Sequence, residues 1–132
     1  MKILVCVDDG MGTMFNHRRQ SRDRILCADA VREIRGILLC TPYTARLLGE
    51  YTEPTVTDAP LEQASEEDTV FVEGEPLLPY LDKIDTLVLY RWNRRYPHDL
   101  VLDLPLDRFT LVSSCDMEGY SHEKITKEIY KK

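Results

Sequence analysis

The sequence predicts a single α/β domain spanning residues 1–132, with a mainly parallel sheet flanked by helices and closed by a C-terminal antiparallel hairpin. Three observations carry that reading. Compact apolar runs recur along the chain up to Arg91 (ILVCV, ILLC, TVFV and TLVLY), each the length of a buried strand. Helix-start residues and helical apolar spacing lie between several of these runs. Beyond Arg91 the pattern turns to alternating apolar and polar residues around a DMEG turn, as in two paired antiparallel strands.

Taken in order, Ile3 to Val7 is a buried strand that enters a loop at Asp8-Asp9-Gly10 and continues through GMGTMFNHRRQ. Ser21 is placed to cap a helix from about Arg22 to Ile34, whose Ile25, Ala28, Val31 and Ile34 make one apolar stripe. Gly36 stops it, and ILLC follows as a second strand. Thr41-Pro42 is a capping hydroxyl with proline at the first helical position, starting a helix from Tyr43 to Leu48 that ends at Gly49. PTVT is a short strand, LEQASEED a loop or single turn, and TVFVEG the next strand. EPLLPYLDK is a short helix limited by Pro79, and DTLVLYRW a long apolar strand. NRRYPHD is a loop and LVLDLP a short strand, before the closing hairpin of RFTLVSSC and SHEKITKEIY.

Composition excludes several classes. The chain is 43% hydrophobic and 30% charged, ordinary for a globular protein. No apolar run approaches the roughly 20 residues that cross a bilayer. MKILVCVDD is too short in its apolar part, and too acidic, for a signal peptide, so a cytoplasmic location is expected. Cys6, Cys27, Cys40 and Cys115 are widely spaced and are read as structural thiols. A net charge of −6 argues against a nucleic-acid binder that uses its whole surface, while leaving room for a local basic patch.

The order of segments resembles dihydrofolate reductase. In DKIDTLVLYRWNRRYPHDLVLDLP a strand is followed by a loop, an aspartate and an apolar-proline stretch, with Asp99 standing at the aspartate of that family's Gly-Asp-Thr-x-Phe-Pro motif. RFTLVSS and GYSHEKITKEIYKK are similar to its last two strands, and ILVCVDDGMGTMFN to its first strand and mobile loop. The resemblance puts Asp23, in SRDRIL, at the substrate-binding carboxylate, where it would act catalytically if the protein is a reductase. The plain alternative is an acid at a helix N-terminus. The cofactor half departs from the family. FVEGEP keeps Gly74 but places Glu75 where a second glycine would admit phosphate, and LCTPYT leaves Thr44 to cap a phosphate with no preceding arginine. The resemblance therefore implies the fold without the usual NADPH chemistry, and NADPH enters only with the reductase alternative. VDDGMGTMFNHRRQSRDR is also similar to short bacterial proteins labelled ribonuclease Z, but the zinc motif that such a label requires is absent from this sequence.

The feature that calls for a function is FNHRRQSRDR, residues 15–24, with four arginines, one acid and a local charge of +3 in an acidic chain. If the family's fold holds, this loop meets RWNRRYPH, which adds Arg94 and Arg95 with Trp92 and Tyr96. Guanidinium groups match phosphate oxygens two at a time, and aromatic rings stack bases. The leading expectation is a non-reductase that binds a nucleotide or single-stranded RNA through Arg18, Arg19, Gln20, Ser21, Arg22, Arg94, Arg95 and Thr44. The alternatives are a divergent NADPH-dependent reductase of a pterin-like substrate using Asp23, and a module whose arginines dock an acidic protein. Arginines tied up in salt bridges with Asp8, Asp9, Asp99 or the acidic loop are the non-functional reading of the same loop. No metal site is expected, since no second carboxylate partner for Asp8-Asp9 is visible in the sequence. Ser121 and His122, adjacent in a strand, would point to opposite faces and so form no catalytic pair.

Overall fold

The computed structural model describes residues 1–132. In chain order its elements are β1 (Lys2–Val7), β2 (Gly12–Phe15), β3 (Arg18–Arg19), α1 (Arg24–Arg32), β4 (Leu38–Cys40), α2 (Pro42–Leu48), β5 (Thr55–Val56), α3 (Pro60–Gln63) and β6 (Thr69–Val72). A 3-10 segment over Leu78–Lys83 leads to β7 (Thr86–Arg91) and β8 (Leu100–Val101), and a second, Leu106–Arg108, to β9 (Thr110–Met117) and β10 (Ile125–Lys131).

Seven strands form one sheet in the order β5-β4-β6-β1-β7-β10-β9. The apolar runs β1, β4, β6 and β7 pair in parallel, whereas β10 is antiparallel to both β7 and β9. β1 is central because it is apolar on both faces. Ile3, Val5 and Val7 join a core with Val70, Val72, Leu87 and Leu89, covered by Leu61, Leu77 and Phe109. Leu4 faces the other way, into a core with Phe71, Val88, Tyr90 and Trp92 that is covered by Leu26, Cys27 and Ala30 of α1.

Several local expectations change. α1 is capped by Asp23 rather than Ser21: Asp23 Oδ1 accepts from the amides of Ile25 at 2.9 Å and Leu26 at 3.2 Å. Ser21 and Arg22 therefore lie ahead of the helix. At its other end α1 stops at Arg32, short of Ile34. EPLLPYLDK closes as a 3-10 segment, with Pro79 at its start. Lastly, the arginine loop is itself a hairpin. Phe15 pairs with Arg18 across Asn16 and His17, both at positive φ (51° and 61°), the backbone of a two-residue type I′ turn.

That hairpin joins β8 in a small second sheet, β3-β2-β8. Its place is secured by Asp99, whose Oδ2 accepts from the Asn16 amide at 2.9 Å while its own amide donates to the Met14 carbonyl at 3.0 Å. The Asp9 amide donates to the Arg94 carbonyl at 2.9 Å. The first loop and the loop before Asp99 thus meet, as the resemblance implies. No helix is long and apolar enough to cross a membrane.

Candidate functional site

The residues singled out from the sequence do not form one patch. They divide into an interior cluster and an exposed cleft, on either side of the segment from Arg19 to Asp23.

Arg19 belongs to the interior cluster. Its Nε and Nη2 donate to the two carboxylate oxygens of Glu73 at 2.7 and 2.9 Å, and its guanidinium lies 4.3 Å from the ring centroid of Tyr43. Burial alone would lower its pKa, but the Glu73 carboxylate outweighs this and raises it. Thr44, at the start of α2, is buried and donates its hydroxyl to Glu73 Oε1 at 2.8 Å. The cap of α2 is Thr41. Beside them, Glu75 Oε2 accepts from the Glu73 amide at 2.8 Å, its Oε1 is buried without a partner, and burial pushes its pKa up. Gly74 has φ +143°, and a Cβ there would stand 2.9 Å from Met14 Cγ, so backbone and packing alone require glycine. Burial pushes the thiols of Cys27 and Cys40 up to about 11, with Glu73 adding to it, as inert structural cysteines require.

Gln20 is drawn to Asp8, donating from Nε2 to Oδ2 at 3.0 Å. Asp8 also accepts from the amides of Gly10 and Gly12 and pairs with His98 Nδ1 at 2.9 Å. Burial would raise its pKa, but these hydrogen bonds, the Gly12 amide first, hold it below the ordinary carboxylate value. No group of three or more metal-ligating side chains exists.

Asp23 collects donors from two distant parts of the chain. Besides the α1 amides, Oδ1 accepts from Tyr120 N at 3.0 Å, and Oδ2 accepts from Ser121 N at 2.9 Å, Ser121 Oγ at 3.3 Å and His122 Nδ1 at 2.9 Å. The turn between β9 and β10 can approach this closely because Gly119 has no side chain; a Cβ would lie 2.7 Å from Asp23 Oδ2. Burial works to raise the pKa of Asp23, and the amides of Ser121 and Tyr120 with His122 overcome it, leaving the carboxyl far below its usual range. His122 is buried and its ring stacks on Trp92 at 4.6 Å. Its Nε2 meets Ser21 Oγ at 2.9 Å and, at a longer 3.3 Å, Tyr96 Oη.

Ser21, Asp23, Leu26, Leu47, Phe71, Trp92 and the Arg19–Glu73 pair line a narrow slot of about 20 Å³, room for a single water. On the far side of Asp23, Arg22, Arg24 and Arg46 line an open cleft of about 220 Å³ together with Tyr51, Tyr120 and Glu50. Arg24 lies 5.7 Å from the Tyr120 ring, which is 71% exposed. Arg18, with Phe15 and Tyr96, lines a second open cleft, and Arg94 and Arg95 stand exposed nearby in sequence. None of Arg18, Arg22, Arg24, Arg46, Arg94 and Arg95 makes an ion pair; of the loop arginines only Arg19 does, and with Glu73 rather than with Asp8, Asp9 or Asp99.

Three contributors escape the sequence reading. Arg46 stands in a helix read only for its Thr41-Pro42 start, Thr44 and its Gly49 end, and Glu73 in a segment read only for Gly74 and Glu75. The Ser21–His122 contact joins residues 101 apart and has no local signal.

These features define the class of fold as dihydrofolate-reductase-like. Among solved structures, the chain is similar to the dihydrofolate reductase of Enterococcus faecalis complexed with NADP(H) and RAB-propyl. The TM-score is 0.70, over 98% of this chain and 94% of that one, at 9% identity. Identity this low shows the fold alone. No protein-family model and no curated protein matches the chain.

Proposed function

We propose that the protein binds a phosphate-bearing ligand, a nucleotide free or within single-stranded RNA, in the cleft between α1, α2 and the β9–β10 turn. The observation that supports this reading is the set of Arg22, Arg24 and Arg46 around one open cleft, none with a carboxylate partner. Exposed guanidinium groups left without acids in an acidic chain are free to take phosphate oxygens. Tyr120 offers an exposed ring on which a base stacks, a contact of about 1–3 kcal/mol. Arg18, Arg94 and Arg95, with Phe15 and Tyr96, would extend the same path for a longer strand. Arg19, Gln20, Ser21 and Thr44 have internal partners, so the phosphate contacts proposed here rest on the other arginines.

The reductase reading has less support. A dinucleotide would have to bring its phosphates to the Gly74 segment, where Glu73 and Glu75 stand, and the Thr44 hydroxyl is engaged by Glu73. The residues present do not fit NADPH. Asp23 would be the pterin-binding carboxylate, and both of its oxygens are already held by the protein.

The test is fluorescence anisotropy with a short labelled single-stranded RNA, with unlabelled nucleotides as competitors, across a salt series. Binding is expected at low salt, and three phosphate contacts give a slope of about −2 in log K against log[salt]. Arg24→Ala/Arg46→Ala should flatten that slope and weaken binding. Absence of RNA and nucleotide binding at low salt, or binding indifferent to both substitutions, overturns the reading. In that case capture of an acidic protein by the same arginines would support a docking module instead.

A further inference from the structure

We propose that Ser21, His122 and Asp23 form a nucleophilic relay, and that the protein transfers the acyl group of a short-chain carboxylic ester to Ser21 and then to water. The geometry is that of a serine nucleophile, a base and an orienting acid. Ser21 Oγ lies 2.9 Å from His122 Nε2, and His122 Nδ1 lies 2.9 Å from Asp23 Oδ2. Protonation follows from the donors around Asp23. With five further donor contacts on its oxygens, Asp23 is ionised and can only accept, so His122 Nδ1 carries the proton. That leaves the Nε2 lone pair to accept a hydroxyl, with Ser21 Oγ nearer at 2.9 Å than Tyr96 Oη at 3.3 Å. Trp92 packed against the imidazole keeps the ring in this orientation.

Two further observations suit acyl transfer. Ser21 lies ahead of α1, where the amides of Arg22 and Asp23 have no acceptor within the protein, so two donors beside the nucleophile are available to a developing oxyanion. Ser21 is only half-buried and lines the narrow slot, whose apolar side is formed by Leu26, Leu47 and Phe71. A slot with room for a single water excludes a long acyl chain.

In the reaction, Ser21 Oγ bonds to the ester carbonyl carbon while its proton passes to His122 Nε2. The tetrahedral species collapses, the bond from carbon to the alcohol oxygen breaks, and His122 returns the proton to the departing alkoxide. Water then adds to acyl-Ser21, delivering a proton through His122, and the carboxylic acid leaves as Ser21 Oγ is reprotonated. Asp23 is a positioning residue throughout. No oxidant, reductant or metal enters the balance.

The experiment is reaction of the whole chain with a fluorophosphonate, located by peptide mass spectrometry, alongside hydrolysis of p-nitrophenyl acetate and octanoate. One phosphonyl adduct on Ser21 is expected, absent in Ser21→Ala, a variant that removes a single hydroxyl and keeps the fold. His122→Ala should slow labelling by about 100-fold or more, with free imidazole restoring it, which a packing role would not do. Asp23→Asn should change the pH profile of acetate hydrolysis as well as its height. The acetate ester should react faster than the octanoate. A wild-type chain left unmodified, an adduct on another residue, or labelling unaffected in His122→Ala overturns the proposal. The phosphate-binding reading is tested on Arg24 and Arg46, so either proposal can fail without the other.

Discussion

The protein contains two buried aspartates, each paired with a histidine at the same 2.9 Å, and the two pairs are built for different ends. Asp8 gathers the amides of Gly10 and Gly12, Gln20 and His98, all within or beside the first loop, and His98 is 31% exposed. Asp23 gathers amides from the start of α1 and from the β9–β10 turn, and His122 is 4% exposed. The first pair is a clasp on a surface loop. In the second, the imidazole is sealed between Trp92 and Asp23, with its remaining nitrogen directed at Ser21. Aspartate and histidine at one distance do not define a role; what the far nitrogen of the ring meets does.

This contrast can be broken at several points. Asp23→Ala should have the largest effect, about 3–5 kcal/mol in a urea titration, because it strips the cap of α1 and leaves several buried donors, His122 among them, without an acceptor. Acid should sharpen the same difference. The folded-state pKa of Asp23 lies below its unfolded value of about 3.9, so the unfolded chain binds more protons at acid pH. The carboxylate's contribution is therefore complete above that unfolded value and is lost as pH falls toward the folded one. Urea midpoints measured from pH 5 downward should fall for both proteins, and less steeply for Asp23→Asn, in which Asp8 and the other depressed carboxylates still titrate. Next comes Gly119→Ala, about 1–3 kcal/mol, since its Cβ would press on Asp23 Oδ2 and the His122 carbonyl; thermal melting reads it. Smallest is His98→Ala, about 0–1 kcal/mol, because its ring is partly in water. A loss at His98 as large as that at Asp23 would erase the distinction.

The large sheet was legible because its strands are apolar on both faces, and a run such as TLVLY has no other stable place than a sheet covered on both sides. The hairpin at Asn16-His17 was less so. Asparagine suits a type I′ turn, but histidine at the second position, where glycine is usual, hides the signal. The cap of α1 was misread because Ser21 and Asp23 are both good capping residues, and the choice is made by the β9–β10 turn, which supplies Asp23 with donors from the other end of the chain. The expectation that Ser121 and His122 point to opposite faces of a strand fails, because both lie in the β9–β10 turn, where Ser121 Oγ meets His122 Nδ1 at 3.2 Å and both side chains turn to Asp23 Oδ2. The serine facing His122 Nε2 is Ser21, and no periodicity connects position 21 to position 122. Likewise the arginine-rich stretch was visible as charge, but its division into Arg19, held by Glu73, and Arg22 and Arg24, left in the cleft, depends on the fold.

The cage around Asp23 also bears on the order in which the chain organises. Its contacts to Tyr120, Ser121 and His122 span 97 to 99 residues, among the most distant in sequence that this fold contains. The donors from Tyr120, Ser121 and His122 come into place only when β9 and β10 pair, so the expected order completes the cage after that hairpin. A bond made late is absent from the transition state, and its removal accelerates unfolding while leaving the folding rate nearly unchanged. A chevron plot of Asp23→Asn that moved chiefly its folding limb would reverse this order. Asp23 is thus a kinetic latch: it sets how long the finished molecule persists far more than how quickly it is made.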